Sequence, residues 1–336
     1  MTPIDFQLCP YTRTTPSLRV NMADVPVIDF SAYSLGRDKV DPEKLQKLVG
    51  DIDSAFRTNG IAYIVNHGVP REQIDEAFSH FRQFTQLPTA TKQKYAREEN
   101  GLVGFIGLES EKTSTSPSAK PDLKEVYNYS PNMKKELIFT EEVENADKTL
   151  YTVLNELRKQ FIRVLELITL ALNIDGYVLH NLHKGIVEDV CKNNNSLLRY
   201  AFYPGIPEGT EPKKGQLRFG EHSDFGTVSF VVTDNVSCFE FQNTSGEWLA
   251  VPPMPDALIM IGCNSLQRFT SDRYRAVPHR GVFSEGQDRF TDRQSIVFFG
   301  SPDDDAIVES LDGDRKYSPI PFLQYAEQLF LAGQQK

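Results

Sequence analysis

From Ser196 onward, seven short segments rich in β-branched and aromatic residues follow one another at near-even spacing: LLRYAFY, TVSFVVT, CFEFQ, EWLAV, ALIMIG, RAVPHRGVF and RQSIVFF. Turn sequences such as Pro-Gly-Ile-Pro, Thr-Ser-Gly-Glu and Gly-Gln-Asp separate them. Short strands at such intervals bury their apolar faces by stacking into a sandwich or closing into a barrel. The pattern predicts a mainly β fold with flanking helices.

Upstream the rhythm differs. VPVIDFSAY reads as an opening strand, and Leu45, Leu48, Val49, Ile52 and Phe56 then recur at helical spacing until Asn59-Gly60. IAYIVNHGV is a second strand, ended by Pro70, and residues 71–95 return to a helical period through Ile74, Phe78, Phe81 and Phe84. Residues 96–140 are polar and rich in Gly, Ser and Pro, and read as a long loop with little regular structure. A helix follows from Asn145, as N-cap, to Leu172, with one continuous apolar stripe. The expected division is an extension over 1–24, an N-terminal helical and strand region over 25–195, a β core over 196–319 and a C-terminal helix over 320–336. All four belong to one structural domain.

Composition excludes several function classes. The 336 residues hold 36 Lys and Arg against 46 Asp and Glu, a net charge of -10. Nucleic acid and anionic membrane both require a basic face, so neither is the expected partner. No window approaches about eighteen uninterrupted apolar residues, and the first residues show no signal-peptide pattern. Cys9, Cys191, Cys238 and Cys263 are scattered, which argues against a disulfide framework or a cysteine-based zinc site. The expectation is a cytoplasmic protein, monomeric or weakly homo-oligomeric, acting on a small molecule.

The chemistry concentrates in the β half. In GEHSDFGTVSF, His222 and Asp224 are two residues apart and would project from one face of a strand. His279 lies 55 residues after Asp224, in RAVPHRGVF. Two histidines and one carboxylate on neighbouring strands form the ligand set of non-haem Fe(II) oxygenases, which leaves positions open, whereas a structural zinc would take four protein ligands. The bland reading is a surface strand with polar residues facing water. Arg293 and Ser295 in RQSIVFF head an apolar run, so the arginine requires an anionic partner. That partner is either an acid of the SPDDD turn or the carboxylate of a ligand such as 2-oxoglutarate, which carries a chelating group at its other end.

The whole of residues 25–330 resembles the isopenicillin N synthase-like family of Fe(II)/2-oxoglutarate-dependent oxygenases. The segments that carry the resemblance are VPVIDFS, GIAYIVNHGVP, LPTATKQKY, DLKEVYNYS, LLRYAFYP, HSDFGTVSF, DALIMIGCNSLQRFTSDRYRAVPHRGV and RQS. The resemblance implies a double-stranded β-helix (jelly roll). It implies Fe(II) on His222, Asp224 and His279, and the distal carboxylate of 2-oxoglutarate on Arg293, Ser295 and Tyr203. O2 would be the other cosubstrate, and the outcome hydroxylation, desaturation or oxidative ring rearrangement of a small specialised metabolite. Many plant members have Asn where this chain has Ala201, so one cosubstrate contact is missing or replaced. Because RxS holds a substrate carboxylate in a few members, an Fe(II)/O2 oxidase that does not consume 2-oxoglutarate is the alternative. A ligand-binding jelly roll without chemistry is a more remote one.

Five further residues are candidates for the substrate pocket. Arg199 shares a strand face with Ala201 and Tyr203, and either meets a substrate anion or forms an internal ion pair. Phe105 and Tyr127 fall in the long loop, and Phe225 and Leu266 lie on the barrel beside the metal motif. His180 and His183 are read as an exposed polar helix end, His67 as a strand-end residue with a structural hydrogen bond, and Cys263 as a buried small hydrophobe.

Overall fold

Asp41 starts the first long helix, α1 (Pro42–Thr58): its side chain accepts from the backbone N–H of Glu43 and Lys44, and Pro42 sits in the first turn. Leu48, Val49, Ile52, Ala55 and Phe56 form its buried stripe. A computed structural model describes residues 25–37, 39–99, 101–114, 116–188, 193–284, 286–314 and 316–334. The expected extension over 1–24, with Cys9, and Cys191 lie outside the described residues.

Around α1 the N-terminal half supplies four strands, β1 (Val27–Asp29), β2 (Ile61–Val65), β3 (Gly104–Ile106) and β4 (Glu125–Tyr129). It also supplies helices α2 (Arg71–Thr85), α3 (Thr89–Lys92), α4 (Ala146–Leu172), α5 (Val178–Leu182) and α6 (Lys184–Val187). The second half contributes β5 (Leu197–Tyr203), β6 (Phe219–His222), β7 (Val228–Thr233), β8 (Phe239–Gln242), β9 (Trp248–Ala250) and β10 (Leu258–Gly262). After these come α7 (Asn264–Phe269), β11 (His279–Gly281), β12 (Arg293–Gly300), the short pair β13 (Ile307–Val308) and β14 (Ile320–Pro321), and α8 (Phe322–Gln334).

Two sheets make the jelly roll. The larger runs β1-β2-β10-β7-β12-β5-β4-β3, and the smaller runs β6-β11-β8-β9. Strand alternation gives the large sheet two different apolar faces. Tyr127, Tyr200, Phe230, Met260, Ile296 and Phe298 join α1, α2 and α4 in one core. Val126, Ala201, Tyr203, Val231, Ile259 and Ile261 face the other way and pack with Phe219, Phe239 and Phe241 of the small sheet. The space between the sheets lies in this second layer.

Several local expectations need correction. Residues 96–140 contain β3 and β4, which extend the large sheet, so the segment is not a structureless loop. Its strands are short and separated by Gly, Ser and Pro, which hid the periodicity. The helix expected over 71–95 breaks after Thr85, and α3 restarts it behind Pro88. Asn145 does precede α4, but with a left-handed φ of 60° and no side-chain capping bond. Of RAVPHRGVF, only His279–Gly281 is strand. The large sheet interleaves strands from both halves, so the N-terminal region is part of the barrel wall and not only its cover.

Candidate active site

β6 and β11 pair antiparallel, and the register sets His222 directly opposite His279. Their rings lie 4.2 Å apart, centroid to centroid. Asp224 is not on a strand, as the HxD spacing suggested; it follows β6 by two residues, at the start of a turn. That turn is fixed from behind. The backbone N–H and side-chain amide of Asn264 donate to the Asp224 carbonyl at 2.9 and 2.6 Å. The Ser265 hydroxyl donates to Phe225 O, and Thr227 N–H donates to Gly300 O. Here Gly226 comes so close to β12 that a Cβ would stand 2.4 Å from Gly300 O.

The clamp brings Asp224 Oδ1 to 3.4 Å from His222 Nε2 and 4.0 Å from His279 Nε2. One ligand atom from each of the three residues lies within 4.8 Å of the others. His222 Nδ1 contacts Gly220 O at 2.9 Å, and His279 Nδ1 contacts Val277 O at 3.0 Å. A carbonyl only accepts, so each Nδ1 carries a proton, and each Nε2 is turned towards Asp224. Burial lowers the His279 imidazole to about 4, with the neighbouring His222 acting in the same direction. Burial alone would raise the Asp224 carboxyl, but His279 and His222 outweigh it and hold it well below the usual carboxylate range. The set is therefore two imidazoles presenting Nε2 and one carboxylate, which suits a divalent cation with open coordination positions.

On β12 the inward positions are Arg293, Ser295, Val297 and Phe299, and Arg293 pairs in register with Tyr203 of β5. Arg293 is fully buried, yet among the described residues it forms no ion pair. Its Nε donates to Val236 O at 3.2 Å, its guanidinium lies 4.9 Å from the centre of the Tyr203 ring, and its Nη1 has no partner. The acids of the SPDDD turn are engaged elsewhere: Asp303 with Gly185 N and Asn194, Asp304 with Asn195, and Asp305 with Asn193. The Tyr203 and Ser295 hydroxyls lie 3.4 Å apart beside the guanidinium. A planar cation and two hydroxyls fit a carboxylate.

Arg293, Ser295, Tyr203 and the His-Asp-His group line one cleft, about 460 Å³ of empty space with its mouth included. Of the five pocket candidates only Arg199 reaches it, and there it is bound to Glu111 and Asn128. Phe105 and Tyr127 are corrections. Both point to the helix-facing core, against Phe84, and Tyr127 donates to Leu137 O at 2.6 Å. The inward residues are their neighbours Ile106 and Val126, one position on and one position back. Leu266 of α7 is likewise in the helix-side core, and Phe225 is half-buried in the metal turn without lining the cleft. Residues absent from the sequence reading include Lys124, Thr113, Phe219, Phe239 and Phe299. The signal for Lys124 was alternation, since it stands two residues before the inward Val126.

His183 also reverses its expectation. It is buried, its Nδ1 donates to Leu179 O at 2.6 Å, and its Nε2 accepts from the Thr227 hydroxyl at 2.7 Å. It thus braces the turn that carries Asp224. Burial lowers its imidazole to about 4 from the ordinary 6.5. As pH falls from about 6.5 towards 4, the unfolded chain binds a proton that the folded site refuses, and stability drops by up to about 3 kcal/mol. Denaturant unfolding at pH 7 and 4.5 should show a smaller acid loss for His183→Gln than for the parent; equal losses would remove His183 as the cause. His67 matches its expectation, accepting from Val69 N–H at 3.0 Å.

Comparison with known proteins agrees with this geometry. Residues 25–149 match the family described as non-haem dioxygenase in morphine synthesis N-terminal, and residues 192–302 match the 2OG-Fe(II) oxygenase superfamily. The chain is 28% identical over 336 residues to the 2-oxoglutarate-Fe(II) type oxidoreductase ppzD of Metarhizium rileyi (strain RCEF 4871), covering 94% of this chain and 91% of the relative. It is similar in fold to a full-length Neurospora crassa protein crystallised in complex with alpha-KG, with TM-score 0.77, 22% identity and coverage of 91% and 96%. The complex of that Neurospora crassa protein with alpha-KG and thymine gives TM-score 0.76 at 22% identity, covering 92% and 96%. Among the described residues no helix is long and apolar enough to cross a membrane. These relatives do not favour an oxidase that dispenses with 2-oxoglutarate. With both halves matched and the ligand set in place, the chain belongs to the 2OG-Fe(II) oxygenase superfamily, in its isopenicillin N synthase-like part, and is a non-haem Fe(II)- and 2-oxoglutarate-dependent dioxygenase.

Proposed function

We propose that His222, Asp224 and His279 hold the Fe(II), that Arg293, Ser295 and Tyr203 hold the distal carboxylate of 2-oxoglutarate, and that the enzyme oxidises a C–H bond of a small metabolite. The observation that carries this reading is the buried Arg293 guanidinium, whose free Nη1 sits in the same cleft as the three metal-type ligands. An unpaired buried cation is costly to keep, and a dianionic cosubstrate removes that cost.

The redox chemistry supplied by bound Fe(II) couples O2 and the decarboxylation of 2-oxoglutarate to oxidation of the substrate. The chain's own contribution is positioning. The two Nδ1–H···O=C bonds fix both imidazoles with Nε2 inward, and the Asn264 bonds fix the Asp224 backbone. Phe219 and Phe239 pack around His279, with ring centroids at 6.2 and 5.4 Å, and keep water from the ligand cluster. The clamp on β12 and β5 sets the direction from which the cosubstrate enters. A screen of small metabolites for stimulated succinate release tests the function. Succinate should form in equal amount to oxidised product, and turnover of a substrate without loss of 2-oxoglutarate would overturn it.

A further inference from the structure

Four charged side chains meet in the wall of the cleft formed by β4, β5 and the segment before β4. Lys124 is buried, and its Nζ donates to Thr113 Oγ1 at 2.6 Å, Asp122 Oδ2 at 2.8 Å and Glu111 Oε2 at 2.9 Å. Those three bonds use all of its donors. Glu111 also receives Arg199 in a fork, Nη1 to Oε2 at 3.1 Å and Nη2 to Oε1 at 3.0 Å, while Arg199 Nε donates to Asn128 at 2.9 Å. Asp122 accepts from Gly220 N–H at 2.9 Å, two residues before His222. Burial would raise the Glu111 carboxyl, but Arg199 and Lys124 outweigh it and hold it well below the usual range. Burial would lower the Lys124 ammonium, but Glu111 and Asp122 raise it. Two cations and two carboxylates thus lie within hydrogen-bond reach of one another and cancel.

Lys124 adjoins Tyr203 across the β4–β5 ladder, but the Arg199 end of the network is set back from the clamp. Arg199 stands four residues back from Tyr203 on β5, about 13 Å along the strand, with Phe299 on the neighbouring β12 under its guanidinium. The cosubstrate held at Arg293 reaches towards the metal ligands, so this wall faces the substrate. Among the described residues, the wall offers a ligand only the second N–H on each terminal nitrogen of Arg199. Apart from Thr113, whose hydroxyl is spent on Asp122, its surroundings are Phe219, Val297 and Phe299.

We infer that the substrate is uncharged where it meets this wall: an apolar body with a hydrogen-bond acceptor directed at Arg199. A carboxylate or phosphate that accepts from those N–H groups meets a network whose charges already cancel and gains no net countercharge for its own desolvation, and an ammonium finds no unpaired acid, so each charged class is disfavoured by the cancelled network. The inference rests on the Fe(II)/2-oxoglutarate reading of the centre.

Calorimetric titration of the enzyme loaded with Mn(II) and 2-oxoglutarate tests it, with phenylalkanamides, phenylalkanoates and phenylalkylamines of matched chain length as probes. The amide should bind at least tenfold more tightly than its acid or amine. Glu111→Gln leaves one positive charge uncancelled, so the acids should bind at least tenfold more tightly than they do to the parent. Arg199→Met leaves one negative charge, so the amines should gain by the same factor. Should no probe bind the parent measurably, the variants still decide: gain of the stated class supports the inference. Tighter binding of acid or amine by the parent overturns it, as does a folded variant that gains nothing. Loading is measured in the same samples. A parent that fails to bind 2-oxoglutarate overturns the catalytic reading with the inference, whereas normal loading with the opposite charge preference overturns the inference alone.

Discussion

Asp224→Ala should leave a folded protein that cannot hold its metal and does not turn over. Asp224 supplies the only negative charge of the three-residue set. Without it, two imidazoles remain to bind a divalent cation. Changes to groups that merely support a ligand already cost roughly 10–100-fold in metal affinity, so loss of the ligand itself should cost about 100-fold or more. The fold survives because the turn is held through backbone atoms: Asn264 bonds the Asp224 carbonyl and the Ser265 hydroxyl bonds the Phe225 carbonyl. Metal titration with thermal unfolding on the same sample checks both halves. His180→Ala is the control, since His180 lies half-buried beside Glu166 at 3.9 Å and outside the cleft. Parent-level iron and turnover in Asp224→Ala would end the assignment.

The His222–Asp224 and Arg293–Ser295 pairs of the candidate site were legible because each is written at short range. His222 and Asp224, and Arg293 and Ser295, are two apart, and their flanks HSDFGTVSF and RQSIVFF have few rivals as barrel segments. The β-run spacing likewise marked the C-terminal strands, because turn residues punctuate them. The substrate side was not legible for an equally physical reason. Every residue of EVYNY except Glu125 is buried, since β4 is covered on both faces, so no polar alternation marks which side is inward. Read as a loop, the segment carried no face assignment, and Phe105 and Tyr127 each stand one residue from an inward position. Arg199 was placed on the right face, but its partner Glu111 is 88 residues away, and nothing local announces that pairing. His183 looked polar and exposed because the Thr227 hydroxyl that satisfies it lies 44 residues on.

Arg293→Met should move affinity and stability in opposite directions, which no purely structural role for Arg293 would do. In the parent without cosubstrate, the fully buried guanidinium rests on the Val236 carbonyl and the Tyr203 ring and leaves Nη1 unsatisfied. Exchanging buried charge for an apolar side chain of similar volume is often neutral or stabilising, by about 1–4 kcal/mol. Denaturant unfolding of the cosubstrate-free variant should therefore give a stability equal to or above the parent's. The effect on 2-oxoglutarate is the reverse. Removing one member of a buried charge pair costs roughly 2–5 kcal/mol, or about 30-fold to several thousand-fold in Kd. Arg293→Lys keeps the charge but loses the planar fork, and should fall between, at about 1.5–3 kcal/mol. Linkage makes the two effects readable in one experiment: cosubstrate at a hundred times the parent's Kd should stabilise the parent by about 2.7 kcal/mol and the methionine variant by less than about 1 kcal/mol. A variant that is less stable than the parent when free and equally stabilised by 2-oxoglutarate would show that Arg293 holds the barrel together and that the carboxylate is bound elsewhere.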